Sequence, residues 1–479
     1  VDTYLYARAI ETFEGPIIHF GYYVMGGLCH LLFKPMGVTP LQTLGYISQF
    51  FGAVSVAGMY GFTFLLTENR LQSVLSAVIL MFSAAFWLFS IHGEVYVPQL
   101  AFVLLSLIFM LKIRPLLSSL SILAAVSITP TSLLALLPLG YIAYMKGIGR
   151  RYLLYFSMPI LLAFIAVMSW KGAKVMEAFA NAVYFPNAFV DPFSYSSLFS
   201  LLTYKLIRAY GNSFNLIFLF ALFGFAVLCI KDRRRWGLMT AFLVPFLAYF
   251  FNLGLFSADH LIISFIAVSF LGAYGILRLL DMMHASRNIR IGFIILLLCF
   301  HVWSTYERAI SRQRSYAAEL GRVVHELSEK YQANGIMLTD FDFGVIFFSM
   351  MEKEYPLALL KGSPNEFLMK EGSPAKAGMQ MLQGKFWIQF GHLLDVASLP
   401  GFRSLVGERP VYFVDRKFWP IGAIQLHNKV KELFGIQDKS EAGRLKKIRE
   451  YLAYKLDAEI SLEKAIDSPL YPVYLMQAK

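Results

Sequence analysis

Charged residues are scarce in this sequence. Only 15% of its 479 residues are charged and 57% are hydrophobic, whereas a soluble globular chain is about 25% charged and about 45–50% apolar. Such a chain has too few charges to cover the surface of a soluble protein of its size. The composition therefore predicts a polytopic integral membrane protein.

Cysteines are few as well, and no metal-binding spacing links them. Cys29, Cys229 and Cys299 each lie in an apolar segment. Free cysteines are among the most frequently buried residues. We therefore expect three buried free thiols rather than a disulfide.

Acidic residues are outnumbered by basic ones, yet this excess does not indicate nucleic-acid binding. The sequence has 43 Lys and Arg against 31 Asp and Glu, a formal net charge of +12. The Lys and Arg lie in short loops between apolar runs, as the positive-inside rule predicts for cytoplasmic loops. The lipid bilayer, and not a nucleic acid, is the expected partner of these charges.

About ten apolar runs approach the roughly 20 helical residues that cross a bilayer. They lie near 40–66, 71–90, 96–112, 115–129, 131–145, 152–170, 213–230, 236–255, 260–280 and 290–306. The weaker run 17–36 carries His19, His30 and Lys34 and predicts a helix along the interface. Regular alternation of loop charge requires 115–145 to be two short helices that turn near Pro130.

The distribution of Lys and Arg predicts a topology with the basic loops on the cytoplasmic side. The outer face then carries residues 1–18, the loop around Glu94, the long loop 171–211 and the turn at Asp259 and His260. The chain opens with Val and a polar stretch, so we expect one further N-terminal span before Asp2. The expected location is a multi-pass protein of a bacterial inner membrane or its equivalent.

The last third of the chain has the pattern of a soluble domain. Residues 307–332 predict an amphipathic helix that leaves the membrane, and 336–339, 410–414 and 473–476 predict strands. Helical stretches at 425–435 and 441–456 complete a small α/β sandwich. The expected fold is thus an α-helical polytopic membrane domain over 1–306, followed by an extracytoplasmic α/β domain over 307–479.

Two acidic residues on the predicted outer face have distinctive surroundings. Asp2 opens Asp-Thr-Tyr-Leu-Tyr-Ala-Arg, and Phe-Glu-Gly-Pro-Ile-Ile-His-Phe-Gly-Tyr follows from Phe13. Glu94 belongs to the pattern Ser-x-x-Phe-Trp-x-x-Ser-x-x-x-Glu-Val-Tyr, which runs from Ser83 to Tyr96. Carboxylates beside buried helix ends at a membrane surface are costly, so they indicate functional sites.

These motifs resemble those of the GT-C superfamily of membrane glycosyltransferases, which includes protein O-mannosyltransferases and the aminoarabinose transferases of lipid A. The resemblance covers about residues 1–306. It implies a GT-C-like fold and an inverting transfer of a sugar from a polyprenyl-phosphate donor to a hydroxyl acceptor on the outer face. A second carboxylate, as glycoside hydrolases use, is not implied, because a lipid phosphate is already a good leaving group.

The same resemblance implies roles for the acidic residues and their neighbours. Asp2 stands where the family places its catalytic base, which takes the proton of the acceptor hydroxyl. Thr3 stands where many members carry a second acidic residue. Glu94 would help orient the acceptor or the sugar, and His19 and Tyr96 would bind substrate.

For the lipid phosphate, the resemblance implies a cation at the turn before a span. This turn holds Asp259 and His260, and His260 is the candidate, with Lys205 and Arg208 as alternatives. His is only partly charged at neutral pH, so the turn departs from the Arg or Lys expected there. The pairs His92/Glu94 and Asp259/His260 could hold a divalent cation, but too few further ligands are evident to predict a metal site.

Two other classes of function remain open. A transporter or flippase for a lipid-linked sugar would show two related halves with broken helices in matching places, and the single break at Pro130 has no such partner. A non-catalytic membrane assembly protein would do without Asp2 and Glu94. The sugar, the acceptor (protein, glycan or lipid) and the lipid chain length are not encoded in any recognisable motif.

Overall fold

The computed structural model describes residues 6, 7, 9–11, 19–163, 165, 169, 207–252, 258–330, 336–339, 387–389, 411–414, 460–468 and 473–478. Contacts divide the chain into two compact units, Asp2–Arg312 and Gln313–Lys479. The first unit is helical, and the second contains a five-stranded sheet.

The helices of the first unit follow one another with short connections. They are α1 (Phe20–Phe33), α2 (Pro40–Thr67), α3 (Arg70–Met81), α4 (Ala84–Ile91), α5 (Tyr96–Leu111), α6 (Pro115–Ile128), α7 (Leu136–Met145), α8 (150–163), α9 (Ile207–Phe214), α10 (Leu216–Lys231), α11 (Arg233–Asn252), α12 (Phe265–Met282) and α13 (Arg287–Thr305). Short 3-10 helices at Pro130–Ala135 and Ala258–Ser264 precede α7 and α12, and a π-helical turn, Tyr306–Ser311, follows α13.

Several described helices have the length and composition of membrane spans. Three are both long enough and apolar enough to cross a membrane. They are α2, α12 together with the residues before it from Leu261, and α13 together with the residues after it to Ser311. The pair α3 and α4 meets both conditions only when taken together, and the two are bent by 63°. Four shorter helical segments are also apolar, namely Tyr96–Leu111, Pro115–Ile128, Pro130–Met145 and Leu216–Lys231. The total of about ten spans remains a prediction.

Local sequence explains where the long helix α2 begins and ends. The Thr39 hydroxyl accepts from the Gln42 amide at 3.2 Å, and the Gln42 side chain accepts from the Thr39 amide at 2.9 Å. This reciprocal capping satisfies two donors that the first turn leaves over. At the other end Glu68 adopts φ 55°, and Asn69 caps α3 through the Gln72 amide at 3.0 Å. A tight helical hairpin joins α2 to α3.

The predicted interruption at Pro130 is confirmed. Helix α6 ends at Ile128, a 3-10 turn starts at Pro130, and α6 and α7 both pack against α5. The Gln99 amide on α5 donates to the hydroxyls of Thr131 (2.8 Å) and Ser132 (3.0 Å). A buried side chain thus holds the break, as buried polar groups in a membrane bundle require.

Helix α12 lies at the centre of the first unit, because 89% of the apolar 18-residue stretch within Leu261–Met282 is buried. Its Gly275 meets Gly224 of α10, where a methyl group on either would run into a backbone carbonyl of the other helix. Small residues permit this close approach, and close approach drives helix association in lipid.

All three cysteines are free, but the expectation that they are buried is wrong for two of them. Cys29 is half-buried, whereas Cys229 and Cys299 are exposed. Apolar side chains in a membrane protein need not face the protein interior, because lipid is as apolar as the core.

The second unit is built on a mixed sheet. Helix α14 (Arg312–Lys330) leads to strands β1 (Ile336–Thr339), β2 (Trp387–Gln389), β3 (Val411–Val414), β4 (Ile460–Ile466) and β5 (Val473–Ala478). The spatial order is β2-β1-β3-β5-β4; β1 is parallel to both neighbours, and β5 is antiparallel to both of its own. The three predicted strands are confirmed, β2 and β4 are additional, and the helices predicted at 425–435 and 441–456 lie outside the described residues.

Candidate functional site

Glu94 lies in the short loop that joins α4 to α5. Its backbone amide donates to the carbonyl of His92 at 2.8 Å and to the hydroxyl of Ser48 at 3.3 Å. The His92 ring lies 2.8 Å, through Nδ1, from the carbonyl of Leu88, one turn back in α4. The loop is therefore tied at both ends, and the half-buried Glu94 carboxylate turns inward, with its Oε2 atom buried.

Helices α2 and α4 lie close together, which brings the Ser48 hydroxyl on α2 within reach of the Glu94 amide. A methyl group on Gly52 would lie 3.0 Å from the hydroxyl oxygen of Ser90 and 3.2 Å from its Cβ. Only a residue without a side chain leaves the helices this near to each other. The small residue at position 52 thus helps to bring α4, and the loop that follows it, against α2.

Tyr22 of α1 is the second polar group of this site, and its side chain is fully buried. Its polar neighbours are the Ser48 hydroxyl and the Glu94 carboxylate. Burial raises the pKa of the Tyr22 phenol well above its ordinary value, and the negative charge of Glu94 raises it further. The phenol therefore keeps its proton at physiological pH and remains able to donate a hydrogen bond.

His19 lies at the start of α1 and holds this helix to α6. Its Nδ1 atom lies 2.8 Å from the carbonyl oxygen of Ile128, the last residue of α6. A carbonyl oxygen can only accept, so Nδ1 carries the hydrogen. Next to it, a methyl group on Gly21 would collide with Ser127 of α6. The predicted substrate-binding His19 thus has a structural contact on one ring nitrogen.

Tyr6 joins the N-terminal residues to the same cluster. Its buried ring lies 5.6 Å from the His19 ring, 5.4 Å from that of Tyr22 and 5.9 Å from that of Tyr23. The first two pairs meet edge to face, the arrangement that aromatic rings prefer. Tyr6, which follows Asp2 closely in the sequence, therefore packs on Tyr22, the residue beside Glu94.

The structure brings only some of the predicted site residues together. Glu94 lies beside Tyr22, and Tyr22 and His19 each contact the ring of Tyr6. Tyr96, the first residue of α5, is buried with its ring 5.5 Å from that of Phe89. The 3-10 helix Ala258–Ser264, which contains Asp259 and His260, packs against α4 and α5. Its contact with α4 places this turn beside the helix that leads to Glu94.

The other predicted site residues lie partly or wholly outside the described residues. Asp2 and Lys205 fall outside them entirely, and Arg208, Asp259 and His260 are described in their backbone alone. Their roles remain predictions. Within the described ranges, no group of three or more His, Cys, Asp and Glu is placed to hold a metal ion.

Sequence reasoning missed Tyr22, Ser48 and Tyr6. Tyr22 was part of the quoted motif, but an aromatic residue in an apolar helix is by default a packing residue. Ser48 lies on the predicted span 40–66, and only the approach of α4 gives its hydroxyl a role. The pattern of buried polar residues on α2 (Thr43, Ser48, Ser55) offered a signal, because polar groups inside a span are expected to have partners.

Chemically, the site combines a half-buried carboxylate with a phenol that stays protonated and a hydroxyl that fixes the carboxylate's backbone. A carboxylate so held can accept hydrogen bonds from the hydroxyl groups of a sugar or an alcohol. The buried rings of Tyr6, Tyr22 and Tyr23 pack against one another beside it and hold the start of α1 in place.

No protein-family model matches this sequence, and no characterised protein matches it significantly. Solved structures do match. The apo form of ArnT from Cupriavidus metallidurans is similar with a TM-score of 0.54 and 8% identity, covering 99% of this chain and 92% of ArnT. ArnT bound to undecaprenyl phosphate gives a TM-score of 0.51 and 9% identity with the same coverage.

The Archaeoglobus fulgidus oligosaccharyltransferase, tethered to an acceptor peptide with the NVT sequon, is a further structural neighbour. Its TM-score is 0.50 at 13% identity over 85% of this chain, and the match spans 66% of that enzyme. At sequence identities this low, structural similarity establishes a shared fold and nothing further. The chain therefore shares its fold with ArnT and with the archaeal oligosaccharyltransferase.

Proposed function

We propose that this chain is an inverting glycosyltransferase that moves a sugar from a polyprenyl-phosphate donor to a hydroxyl acceptor on the outer face of the membrane. The GT-C fold supports the class. The observation that carries the proposal is that Glu94 lies beside Tyr22, and that Tyr22 and His19 both contact Tyr6, which follows Asp2 closely in the sequence.

In the proposed reaction, the oxygen of the acceptor hydroxyl attacks the anomeric carbon of the donor sugar. The bond from this carbon to the phosphate oxygen breaks, and the lipid phosphate leaves with the bonding electrons. Asp2 takes the proton of the acceptor hydroxyl, because an alcohol is a poor nucleophile until its proton has an acceptor in place. Attack from the face opposite the phosphate inverts the configuration.

Glu94 and Tyr22 have separate parts in this scheme. The Glu94 carboxylate accepts hydrogen bonds from the acceptor or the sugar and holds it in position. Such positioning can raise the reaction rate by several orders of magnitude when the geometry is well set. Tyr22 keeps its proton beside Glu94 and can donate a hydrogen bond. His260, or in its place Lys205 or Arg208, provides positive charge for the lipid phosphate.

Solved structures of the same fold support a lipid-linked donor and an external acceptor. ArnT has been seen with undecaprenyl phosphate, and the archaeal oligosaccharyltransferase with an acceptor peptide. For this chain we propose the general pair, a polyprenyl phosphate sugar and a hydroxyl group on a protein, glycan or lipid.

Sugar transfer in proteoliposomes tests the proposal. The protein receives a panel of polyprenyl-phosphate sugars with mixed hydroxyl acceptors, alongside Asp2→Asn, Glu94→Gln and Glu11→Gln. We expect Asp2→Asn to lower the rate at least about a hundredfold, as removal of a general base does. Glu11 is an exposed carboxylate on the helical segment after Asp2, so Glu11→Gln should keep wild-type activity.

Each result leads to a distinct conclusion. If Asp2→Asn retains full activity, Asp2 is not the base, although the enzyme class stands. If Glu11→Gln falls as far as Asp2→Asn, the loss reflects damage to the N-terminal segment and not the chemistry of one carboxylate. If the wild type moves no sugar from any donor, the glycosyltransferase proposal fails, and the transport and assembly readings are tested next.

A further inference from the structure

The bend between α3 and α4 interrupts the helical hydrogen-bond pattern, so backbone carbonyls at the bend lack partners within these two apolar helices. The last carbonyls of any helix lack partners within it, and inside a bilayer each one needs a partner from elsewhere in the protein. Part of this need is met locally. Ser83 donates to the Leu80 carbonyl with both its amide (3.1 Å) and its hydroxyl (3.0 Å), and the Phe82 amide donates to Val78 at 3.0 Å.

Two further carbonyls at the bend are satisfied by α13, more than two hundred residues along the chain. The His301 ring lies 3.3 Å, through Nε2, from the carbonyl oxygen of Ile79, and the Thr305 hydroxyl donates to the carbonyl of Phe82 at 2.6 Å. Both side chains are fully buried. They are four residues apart on one face of α13, and the two carbonyls they meet are three residues apart, so each pair spans about one helical turn.

The hydrogen on His301 can be assigned from its partner. A carbonyl oxygen only accepts, so Nε2 donates. A histidine inside a membrane span is costly and is retained where it has a use. In this position the use is visible, because the ring replaces the helical hydrogen bond that the bend removes.

The bent segment leads directly to the candidate site. Helix α4 has only eight residues, and its last residue, Ile91, is followed after two residues by Glu94. The π-helical turn Tyr306–Ser311, which follows Thr305 at once, packs against α4. Single π turns within α-helices are common at functional sites. The direction of α4 therefore decides where the Glu94 loop emerges, before Ser48 fixes its backbone.

We propose that His301 and Thr305 are positioning residues that hold the bend between α3 and α4 and thereby set the place of Glu94. They act through hydrogen bonds to the Ile79 and Phe82 carbonyls and touch no substrate. Their effect on sugar transfer rests on the proposed function, whereas their effect on α4 does not. A straight α3–α4 helix would re-form the internal hydrogen bonds, so the two donors on α13 select the bent form.

Hydrogen–deuterium exchange of the intact protein in lipid nanodiscs tests this proposal. The double variant His301→Leu/Thr305→Val removes both donors with little change in volume, and His301→Gln/Thr305→Ser restores a donor at each position. The control is Ser106→Ala, which breaks a buried serine pair between α5 and α6 far along the sequence from the bend. Sugar transfer per folded molecule is measured on the same samples.

We expect the amides of residues 84–94 to exchange about tenfold faster or more in the double variant, since two hydrogen bonds are lost. Exchange in α12 should not change. The donor-restoring variant and Ser106→Ala should both match the wild type over 84–94. In the transfer assay kcat should fall in the double variant and recover in the donor-restoring variant, while the donor KM stays constant.

Three outcomes would overturn the proposal. Unchanged exchange over 84–94, or an increase spread evenly over all helices, would show that the two side chains do not hold the bend. Faster exchange over 84–94 with unchanged kcat would show that the bend does not position a catalytic group. A wild type without transfer activity refutes the proposed function instead, and the exchange result then decides on the bend alone.

Discussion

Tyr22 illustrates how a single side chain gains a chemical role from its surroundings. An exposed phenol has a pKa of about 10. Here full burial disfavours the anion, and the nearby Glu94 carboxylate disfavours it further, so the pKa of Tyr22 is raised. A phenol in this state keeps its proton at physiological pH, so it can donate a hydrogen bond but cannot serve as a base.

Tyrosinate absorbance gives a direct check on this conclusion. We expect the folded wild type and Tyr22→Phe to show the same tyrosinate signal up to about pH 10, because the buried phenol does not ionise there. After denaturation the variant should show one tyrosinate fewer. An extra tyrosinate in the folded wild type below pH 10 would contradict the raised pKa.

Glycines at helix crossings are the feature of most consequence at the scale of single elements. Where α10 crosses α12, Gly224 faces the Leu271 carbonyl and Gly275 faces the Phe220 carbonyl. Backbone cannot yield as a flexible side chain does, so an added methyl group must push the two helices apart. Helix packing in lipid relies on this kind of close contact.

Alanine at these glycines should therefore destabilise the first unit. We expect Gly224→Ala and Gly275→Ala each to lower stability by about 1–3 kcal/mol, the usual cost of overpacking. Thermal unfolding in detergent measures the effect. Gly140→Ala is the matched control, because its methyl group meets no atom within 4 Å and alanine favours a helix by about 1 kcal/mol. Equal losses at all three positions would refute the argument.

Helix α14 is tied to the end of strand β4 in the second unit by a network around Glu319. Its carboxylate accepts from Arg322 at 2.8 Å and from the Ser468 hydroxyl at 2.6 Å. The Arg322 contact, followed by Ser468, lowers the pKa of Glu319. Because the folded pKa is lowered, these contacts stabilise the fold above the ordinary glutamate pKa, and this stability is lost as pH falls through the lowered pKa.

Pepsin sensitivity between pH 4.5 and 2.5 should follow this dependence. At the upper end we expect Glu319→Gln to be cleaved faster than the wild type in the second unit, since the variant already lacks the ionised contact. The two rates should converge toward the lower end, where the wild-type carboxylate is protonated. Glu329→Gln changes a more exposed carboxylate of the same helix and should leave the ratio near one throughout.

The distribution of charge over the whole molecule predicts which ends of the helices face the cytoplasm. Asp281, in the last turn of α12, lies 2.6 Å from Arg290 and 3.8 Å from Arg278. With Arg287 added, the junction between α12 and α13 remains basic overall. Basic loops are retained on the cytoplasmic side. The loop that holds Glu94 has no Lys or Arg and is expected on the outer side.

Labelling of single cysteines in a cysteine-free background tests this topology. We expect a membrane-impermeant maleimide to label His92→Cys on intact cells, because His92 is exposed in the Glu94 loop. Met283→Cys, 63% exposed in the basic loop, should react only after the cells are permeabilised. The reverse result would place Glu94 on the cytoplasmic side and remove the proposed outer-face reaction.

Much of the architecture follows from the sequence alone, because apolar length and loop charge are local properties. The span at 40–66 corresponds to α2, and the parity of the basic loops required the interruption that the structure shows at Pro130. The strands at 336–339 and 473–476 follow from short β-branched and aromatic runs. Glu94 could be singled out in the same way, since a carboxylate at a helix end is visible in a one-dimensional reading.

Tertiary structure decided what depends on distant partners. No Pro or Gly marks the 63° bend within 71–90, since its cause is the pair of donors that α13 supplies from His301 and Thr305. Nor does the sequence show that Ser48 meets Glu94 or that Tyr22 is buried beside it. Hydropathy and charge act along the chain, whereas hydrogen bonds to orphan carbonyls and the pKa of a buried phenol arise only when helices far apart in sequence come into contact.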